Sequence, residues 1–463
     1  MRDGDLLRIG LPEAVSRVLA GLAGTDADAV LVGGCVRDLV HREQPKDWDV
    51  ATSAPPEAVA AAFPGSTWQN PFGTVTVRGD PPVEVTTFRV EEGYRDRRRP
   101  DTVRWGTSLE EDLARRDFTI NAMAWRPVDL AAGEGRLVDP HGGAADLERR
   151  LLRAVGDPGQ RLAEDALRLV RAVRFAVRYD LALEPATEAA IRDHAPDAAL
   201  LSGERVREEL LRMLAFPTAS KAFLLMEELG LLAVLLPELA ALRGIPQAKR
   251  LPGDALDHSL RTVDALPAGD ARLRLAGLLH DVGKASTLAD GHFIGHELQG
   301  ARLAEQALRR LRLPNADIGW IRRLVRHHMF NYTPDWTDAA VRRFVRRVGA
   351  DLLADLFALR AADNAASGAE EPEAGGLEEL RARVDRVLAG DPLDQRQLAV
   401  DGHDLVRALG VQPGPVVGRL LDRLLEAVLE DPSLNRRERL LELAADLLRE
   451  PGSARGAGAH REA

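Results

Sequence analysis

The chain has 463 residues, 45% hydrophobic and 29% charged, with a net charge of −10 from 62 basic and 72 acidic side chains. That composition is ordinary for a soluble globular protein, the length calls for about two to four domains rather than one core, and the mild acidity leaves any polyanion binding to local patches. Cys35 is the only cysteine, which excludes an intramolecular disulfide. No basic-then-apolar leader opens the sequence, so no signal peptide is expected. The longest apolar runs, such as 231–236, are too short to span a bilayer, and the expected compartment is the cytoplasm. Scarce aromatics with abundant Ala, Leu and Arg favour a mostly helical chain.

Leu11 to Leu22 has the spacing of an amphipathic helix. It leads into residues 29–51, AVLVGGCVRDLVHREQPKDWDVA. This stretch reads as a short apolar strand (Ala29 to Val32), a Gly33-Gly34 turn, a helix opening on Cys35 to Asp38, and a second strand carrying Asp47 and Asp49. Alternate side chains of a strand share a face, so Asp47 and Asp49 project together while Trp48 faces away. Two adjacent carboxylates repel unless a cation lies between them, and hard oxygen donors favour Mg²⁺. A Gly-Gly turn before a helix leaves free N–H groups suited to a phosphate. Either half alone is ordinarily a turn or a solvated strand edge. The two in this order point to metal-assisted phosphoryl or nucleotidyl transfer.

SAPPEAVAAAF (53–63) reads as a capped helix start with proline in its first turn. Gly73 to Arg78 and Val83 to Phe88 alternate as paired strands. Glu84, on the second, is either a third metal carboxylate or a surface strand residue. Residues 89–106 are polar, basic and Gly- and Pro-bearing, and read as a mobile loop. Ser108 with Glu111 forms a capping box, followed by RRDFTINA (115–122). In 164–181, EDALRLVRAVRFAVRYDL, Leu167, Val170, Val173 and Val177 form an apolar helical stripe. Asp165, Arg168, Arg171 and Arg174 recur every third residue beside it. They are either a solvated face with i, i+3 ion pairs or a carboxylate and guanidinium set that reads the edge of a base. Residues 149–178 hold eight Arg against three acids, a balance that favours a polyanion. Residues 182–237 look all-helical, with Ser202 an N-cap.

The strings LVGGCVRD, DWDVAT, RRDFTINA and the Glu-Asp-x-x-Arg of 164–168 resemble the class II nucleotidyltransferase superfamily, which comprises tRNA nucleotidyltransferases (CCA-adding enzymes) and bacterial poly(A) polymerases. LVDPHGGAADLERRLLRAV (137–155) is similar to the end of its catalytic domain. The resemblance implies an α+β fold: a nucleotidyltransferase domain with a small sheet flanked by helices, then a mostly α-helical neck, a further helical domain and a tail. It implies that Gly33, Gly34, Arg37 and Arg116 hold a nucleoside triphosphate, that Asp117 and Asn121 make sugar or turn contacts, and that Asp47 and Asp49 bind catalytic Mg²⁺. Asp165 and Arg168 would select CTP or ATP, with Arg171 and Arg174 in support. The 89–106 segment would help switch nucleotide specificity, and its length looks like the full form rather than that of enzymes adding only CC. The implied reaction is untemplated CCA addition to tRNA. Addition of A alone, of CC alone, or of a poly(A) tail are alternatives within the class.

Residues 250–365 carry a separate set: His258, His280 and Asp281 in LLHDVGKA, His296, His327 and His328, and Asp363. This set resembles the HD phosphohydrolase superfamily, which implies a divalent metal on His258, His280, Asp281 and Asp363. Imidazoles with carboxylates suit Mn²⁺, Ni²⁺, Zn²⁺ or Fe. His296 with His327 or His328 could hold a second ion. A phosphohydrolase whose N-terminal part merely binds nucleotide is therefore a second class of reading, and a non-catalytic RNA-binding scaffold a third. Residues 306–347 hold ten Arg against three acids, a candidate RNA-facing strip. Residues 365–376 read as a linker. Val411 to Asp431 reads as a helix after Pro-Gly-Pro, similar to a tRNA-gripping tail. The expected division is 1–150 catalytic, 151–240 neck, 241–365 HD-like, 366–450 tail and 451–463 disordered.

Overall fold

The computed structural model describes residues 1–25, 27–68, 73–92, 102–106, 108–247, 249–368 and 375–449. The centre of the expected loop, the middle of the linker and the terminal stretch from 451 lie outside the described residues. The chain divides into two compact units, Met1–Ala240 with Arg310–Leu313, and Ala241–Arg309 with the chain from Pro314 on. No helix of the described residues is long and apolar enough to cross a membrane.

The first unit opens with strands β1 (Leu6–Arg8), β2 (Ala29–Val32), β3 (Trp48–Thr52), β4 (Thr67–Trp68), β5 (Thr74–Val77), β6 (Val83–Thr87), β7 (Arg89–Glu92), β8 (Thr102–Trp105), β9 (Ala124–Asp129) and β10 (Glu134–Val138). Between them lie helices α1 (Glu13–Ala23), α2 (Gly34–Val40), α3 (Pro56–Ala62) and α4 (Leu109–Ala114), and α5 (Gly143–Glu148) follows. Eight strands form one sheet of order β1-β10-β9-β2-β3-β6-β5-β4. Only β3 and β6 pair in parallel, with Asp49 opposite Glu84. Strand alternation divides the core. Leu31, Trp48, Val50 and Val85 face one cluster with Val15, Val18, Leu19 and Leu22 of α1. Val30, Val32 and Ala51 face a second with Phe88, Leu109 and Leu113. Asp49 therefore shares the α4 face with Ala51, while Trp48 is buried on the other.

Several expectations are corrected. A three-residue strand, β1, precedes the first helix and pairs with β10; it is too short for periodicity to reveal. Asp47 stands on a bend one residue before β3 begins. The 89–106 segment is a loop only in part: β7 and β8 pair antiparallel, Arg89 opposite Trp105 and Glu92 opposite Thr102. The charge of this stretch masked the alternation in TVRW, which suits a ribbon with a solvated face. Helix α3 has Pro55 at its N-cap, which offers no side-chain acceptor, and the Ser53 hydroxyl accepts the Asp28 N–H. At α4 the Ser108 hydroxyl accepts the Glu111 N–H but donates to Glu110, so only half of the capping box forms.

The neck has a short parallel pair, β11 (Leu151–Leu152) and β12 (Ala182–Leu183), and helices α6 (Pro158–Glu164), α7 (Leu167–Arg178), α8 (Pro185–His194), α9 (Gly203–Leu214), α10 (Ser220–Glu228), α11 (Leu231–Leu235) and α12 (Pro237–Ala240). The stretch expected as one helix from Glu164 is broken at Asp165, whose backbone is extended. Its carboxylate accepts the Leu167 N–H at 3.0 Å and starts α7 as an Asx turn.

The second unit is helical: α13 (Ala255–Ala265), α14 (Ala271–Leu279), α15 (Lys284–Thr287), α16 (His296–Arg310), α17 (Asn315–His327), α18 (Asp338–Val348), α19 (Leu353–Ser367), then α20 (Gly375–Gly390), α21 (Gly402–Leu409), α22 (Pro415–Glu430) and α23 (Arg437–Arg449). Helix α14 is buried from Leu273 to Leu279, so its C-terminus delivers His280 and Asp281 to the interior. Residues 398–447 of the tail close their own apolar cluster around Leu405, Leu424 and Leu440.

Candidate active site and metal centre

A cleft of about 580 Å³ in the first unit is lined by eight arginines and three aspartates, including Arg37, Asp49, Arg116, Asp117, Asp165, Arg168, Arg171 and Arg174, together with Gly33, Gly34 and Asn121. Every nucleotide-site residue expected from the sequence therefore meets in one place. Asp47 and Glu84 stand beside Asp49 rather than in the cleft lining. Burial, then the Glu84 carboxylate across the β3–β6 register and Asp47, pushes the Asp49 carboxyl up to about 6, against the pull of Arg116 and Arg37. Three carboxylates this close are held in a state a divalent cation would relieve, and oxygen-only donors fit Mg²⁺.

Gly33 has φ 72°, and a Cβ there would lie 2.6 Å from Arg116 Nη1. The left-handed backbone favours glycine there, and a side chain would also push the Arg116 guanidinium aside. Gly34 is under neither demand. Behind the turn, the Cys35 thiol donates to the Val32 carbonyl at 3.2 Å. Burial pushes that thiol up to about 12, so it packs rather than reacts.

Arg116 is aimed by Asp112, 1% exposed, whose Oδ2 accepts from Nη2 at 3.1 Å. The Arg116 Nε is buried with no hydrogen-bond partner, a donor suited to an incoming anion. Arg37 donates to Asn121 Oδ1 at 2.6 Å and to Asp38 at 2.7 Å, and its guanidinium lies 4.4 Å from the Tyr179 ring centre. Most of its donors are spent, so it anchors α2 to α7 and lends charge to the cleft floor.

On the opposite wall, Arg171 pairs with Asp117 at 2.7 Å and Arg174 with buried Glu209. Arg168 is buried and donates to Glu164, the Arg161 carbonyl and the Arg115 carbonyl, closing the α6–α7 joint. Asp165 is met by Arg205 at 2.7 Å. Arg205, on α9, lines the cleft and was not legible: its helix reads locally as simple packing, and only the fold brings it to Asp165. Arg89 and Phe175 join the lining in the same way.

In the second unit, His258, His280, Asp281, His296, His328 and Asp363 are all buried. The candidate ligand atoms of His258, His280 and Asp363, and of His280, Asp281 and His328, lie within 4.8 Å of one another. His280, His296 and His328 each sit 2.7 Å from a carbonyl oxygen through Nδ1. That contact requires the proton on Nδ1 and leaves the Nε2 lone pair for a metal. The three Nε2 atoms and Asp281 Oδ1 have no hydrogen-bond partner. Although burial opposes it, His280 and Lys284 hold the Asp281 carboxyl well below the usual range. His328, not His327, joins the cluster; His327 lines a neighbouring cavity with Arg326, Glu297 and, from the cluster, His296.

The arginine strip at 306–347 is largely neutralised. Arg309, Arg310, Arg323, Arg326, Arg342, Arg343 and Arg346 each pair with an acid that lies outside residues 306–347. A local charge balance sees none of those partners, so the strip is not the bare cationic face its composition suggests.

Three known families match parts of the chain: Poly A polymerase head domain over 29–153, probable RNA and SrmB-binding site of polymerase A over 180–242, and tRNA nucleotidyltransferase domain 2 (putative) over 296–444. The chain is 39% identical to the A-adding tRNA nucleotidyltransferase of Deinococcus radiodurans, over 86% of this chain and 91% of that one. It is 38% identical to the CC-adding tRNA nucleotidyltransferase of Thermus thermophilus, over 88% and 91%. Among solved structures, the Bacillus stearothermophilus CCA-adding enzyme in complex with CTP superposes with a TM-score of 0.69 at 32% identity, covering 94% of this chain and 97% of that one.

Proposed function

The chain belongs to the poly(A) polymerase and CCA-adding enzyme family and is a nucleotidyltransferase of it; from that premise we propose that it adds CCA to tRNA 3′ ends from CTP and ATP, releasing pyrophosphate. The observation that carries this reading is Asp49, which lines the arginine-rich cleft with Gly33 and has the Asp47 and Glu84 carboxylates next to it. Asp47 and Asp49 would hold Mg²⁺, with Glu84 alongside; the metal supplies charge neutralisation at the attacking 3′-hydroxyl and at the leaving pyrophosphate. Arg116 and the backbone N–H groups after Gly33 bind the triphosphate, and Arg37 holds that floor rigid. Asp165 and Arg168 would read the base by exchange: Arg168 gives up its bonds to Glu164 and the Arg115 carbonyl and Asp165 its pair with Arg205 for bonds to the nucleotide, while Arg171 and Arg174 keep α7 in place through Asp117 and Glu209.

Three transcripts, ending before CCA, after CC, and in an unrelated sequence, test the reading when offered CTP and ATP separately. The first is expected to extend with CTP and the second with ATP. The match to an A-adding relative favours one second reading, in which only the transcript ending in CC extends. Extension of the unrelated transcript with ATP alone would replace both readings with poly(A) tailing.

The proton on Asp49 gives a pH test. Its carboxyl titrates near 6, so below that value a proton competes with the metal. The apparent Mg²⁺ constant is expected to weaken roughly tenfold between about pH 7 and pH 5 and to be overcome by more Mg²⁺. An unchanged constant across that range would remove Asp49 from the metal site.

A second activity is supported by the unpartnered Nε2 atoms converging on Asp281. They fit a nitrogen-rich divalent metal centre of HD phosphohydrolase type, and such a metal would supply an activated water for phosphoester hydrolysis.

A further inference from the structure

The buried histidine centre has two halves that differ in one respect. In one half, Asp281 Oδ1 lies 3.4 Å from His296 Nε2 and 3.6 Å from His328 Nε2, with nothing bonded to any of them. In the other half, His258 Nε2 and Asp363 Oδ1 are 3.0 Å apart, and the ammonium of Lys249 sits against both, 2.9 Å from the imidazole and 3.1 Å from the carboxylate. The second oxygen of Asp363 is taken by Arg360 at 2.8 Å. His258 also lacks the carbonyl that fixes the tautomer of the other three, since its Nδ1 has no partner.

We infer that the centre holds a single divalent transition-metal ion, on Asp281, His296 and His328 with His280 beside them, and that Lys249 is the cation of the His258–Asp363 half. This inference rests on the metal-centre reading given above. A metal bonded to an imidazole and a carboxylate approaches each to about 2.1 Å. It cannot enter the wedge between His258 and Asp363 from the side that the ammonium fills. Charge points the same way. Lys249, Lys284, the latter 2.6 Å from Asp281 Oδ2, and Arg360 on Asp363 already outweigh the two buried aspartates, so one ion leaves the centre cationic and ready for a phosphoester. Two ions alongside both lysines would concentrate positive charge in a buried site with no added anion to offset it. Lys249 thus sets the metal count, and the His258–Asp363 pair, expected from the sequence as half of a metal site, is a lysine site.

The test uses the full chain with Asp49→Asn, so that the carboxylate site contributes little, stripped with a chelator and titrated with Co²⁺. Calorimetry counts ions, and the visible absorption of Co²⁺ reports imidazole ligation. About one nitrogen-ligated ion per chain is expected, lost in His296→Ala and kept in His258→Ala. In Lys249→Met, or Lys249→Gln should the first not fold, the count is expected to rise to about two. Two ions with Lys249 in place, one ion still in both Lys249 variants, or loss of the ion in His258→Ala with retention in His296→Ala would each overturn the inference while leaving a metal centre. No Co²⁺ absorption in any of these proteins would remove the metal-centre reading itself.

Discussion

Asp49→Asn is expected to lower nucleotide incorporation into RNA 3′ ends by about 10³-fold or more, on the order of 4 kcal/mol of barrier. The substitution keeps size and hydrogen bonding and removes one charge, so the loss reads on metal holding rather than on shape. Stability is expected to move the other way. A carboxyl whose folded value is raised to about 6 binds its proton more tightly folded than unfolded. It therefore costs stability as pH rises from about 4 through 6, and the cost is complete above that. Removing the charge is expected to stabilise the metal-free protein by up to about 2–3 kcal/mol at pH 8 and to leave it unchanged at pH 4. Thermal melts in chelator with and without the substitution check this. A variant that is inactive because it is less stable than the parent would contradict the assignment.

The second large effect is expected at Asp117. This side chain is 8% exposed and accepts from the Phe118 N–H at 2.8 Å, Asn121 Nδ2 at 3.0 Å and Arg171 Nε at 2.8 Å. Asn121 in turn receives Arg37, so Asp117 is the link between the α7 wall and the α2 floor. Burial alone would raise its carboxyl, but Arg171 and Asn121 hold it well below the usual range. Asp117→Ala leaves the half-buried Arg171 guanidinium of the cleft wall without its partner and frees Asn121, at an expected cost of about 2–3 kcal/mol once solvent screening of Arg171 is allowed for. The KM for nucleotide is expected to rise together with the loss of stability. Because the folded carboxyl is depressed, the stabilisation is present above the unfolded value near 4 and is lost as pH falls toward the folded value. The gap between parent and variant in denaturant melts should therefore narrow in acid. A gap under about 1 kcal/mol at pH 7 would show that the link carries no load.

Residues that act within one local turn were legible in the sequence. Gly33, Asp49, Arg116 and Asn121 lie in three short strings, and strand alternation alone separates Asp49 from Trp48. The sheet strands on either side of the Gly-Gly turn, and α1, follow from period and length. What escaped depends on pairs made across the fold. Arg205 reaches Asp165 only because α9 packs on α7. The arginine strip is quenched in part by acids such as Glu426 and Asp391, far from it in the chain. His328 and His327 are indistinguishable as neighbours in a helix end, and only the buried side of α17 selects the first. Lys249 lies in an irregular stretch with no period to read, and its place beside His258 and Asp363 comes from the packing of α13 against α19.

Crystals soaked with Mn²⁺ and a non-hydrolysable CTP analogue test the central proposal most directly, because anomalous scattering locates the metal without reference to activity. The account predicts a peak bonded to both Asp47 and Asp49, with the triphosphate against the Gly33 turn and Arg116. A peak confined to the histidine centre, or a triphosphate bound away from that turn, would contradict it.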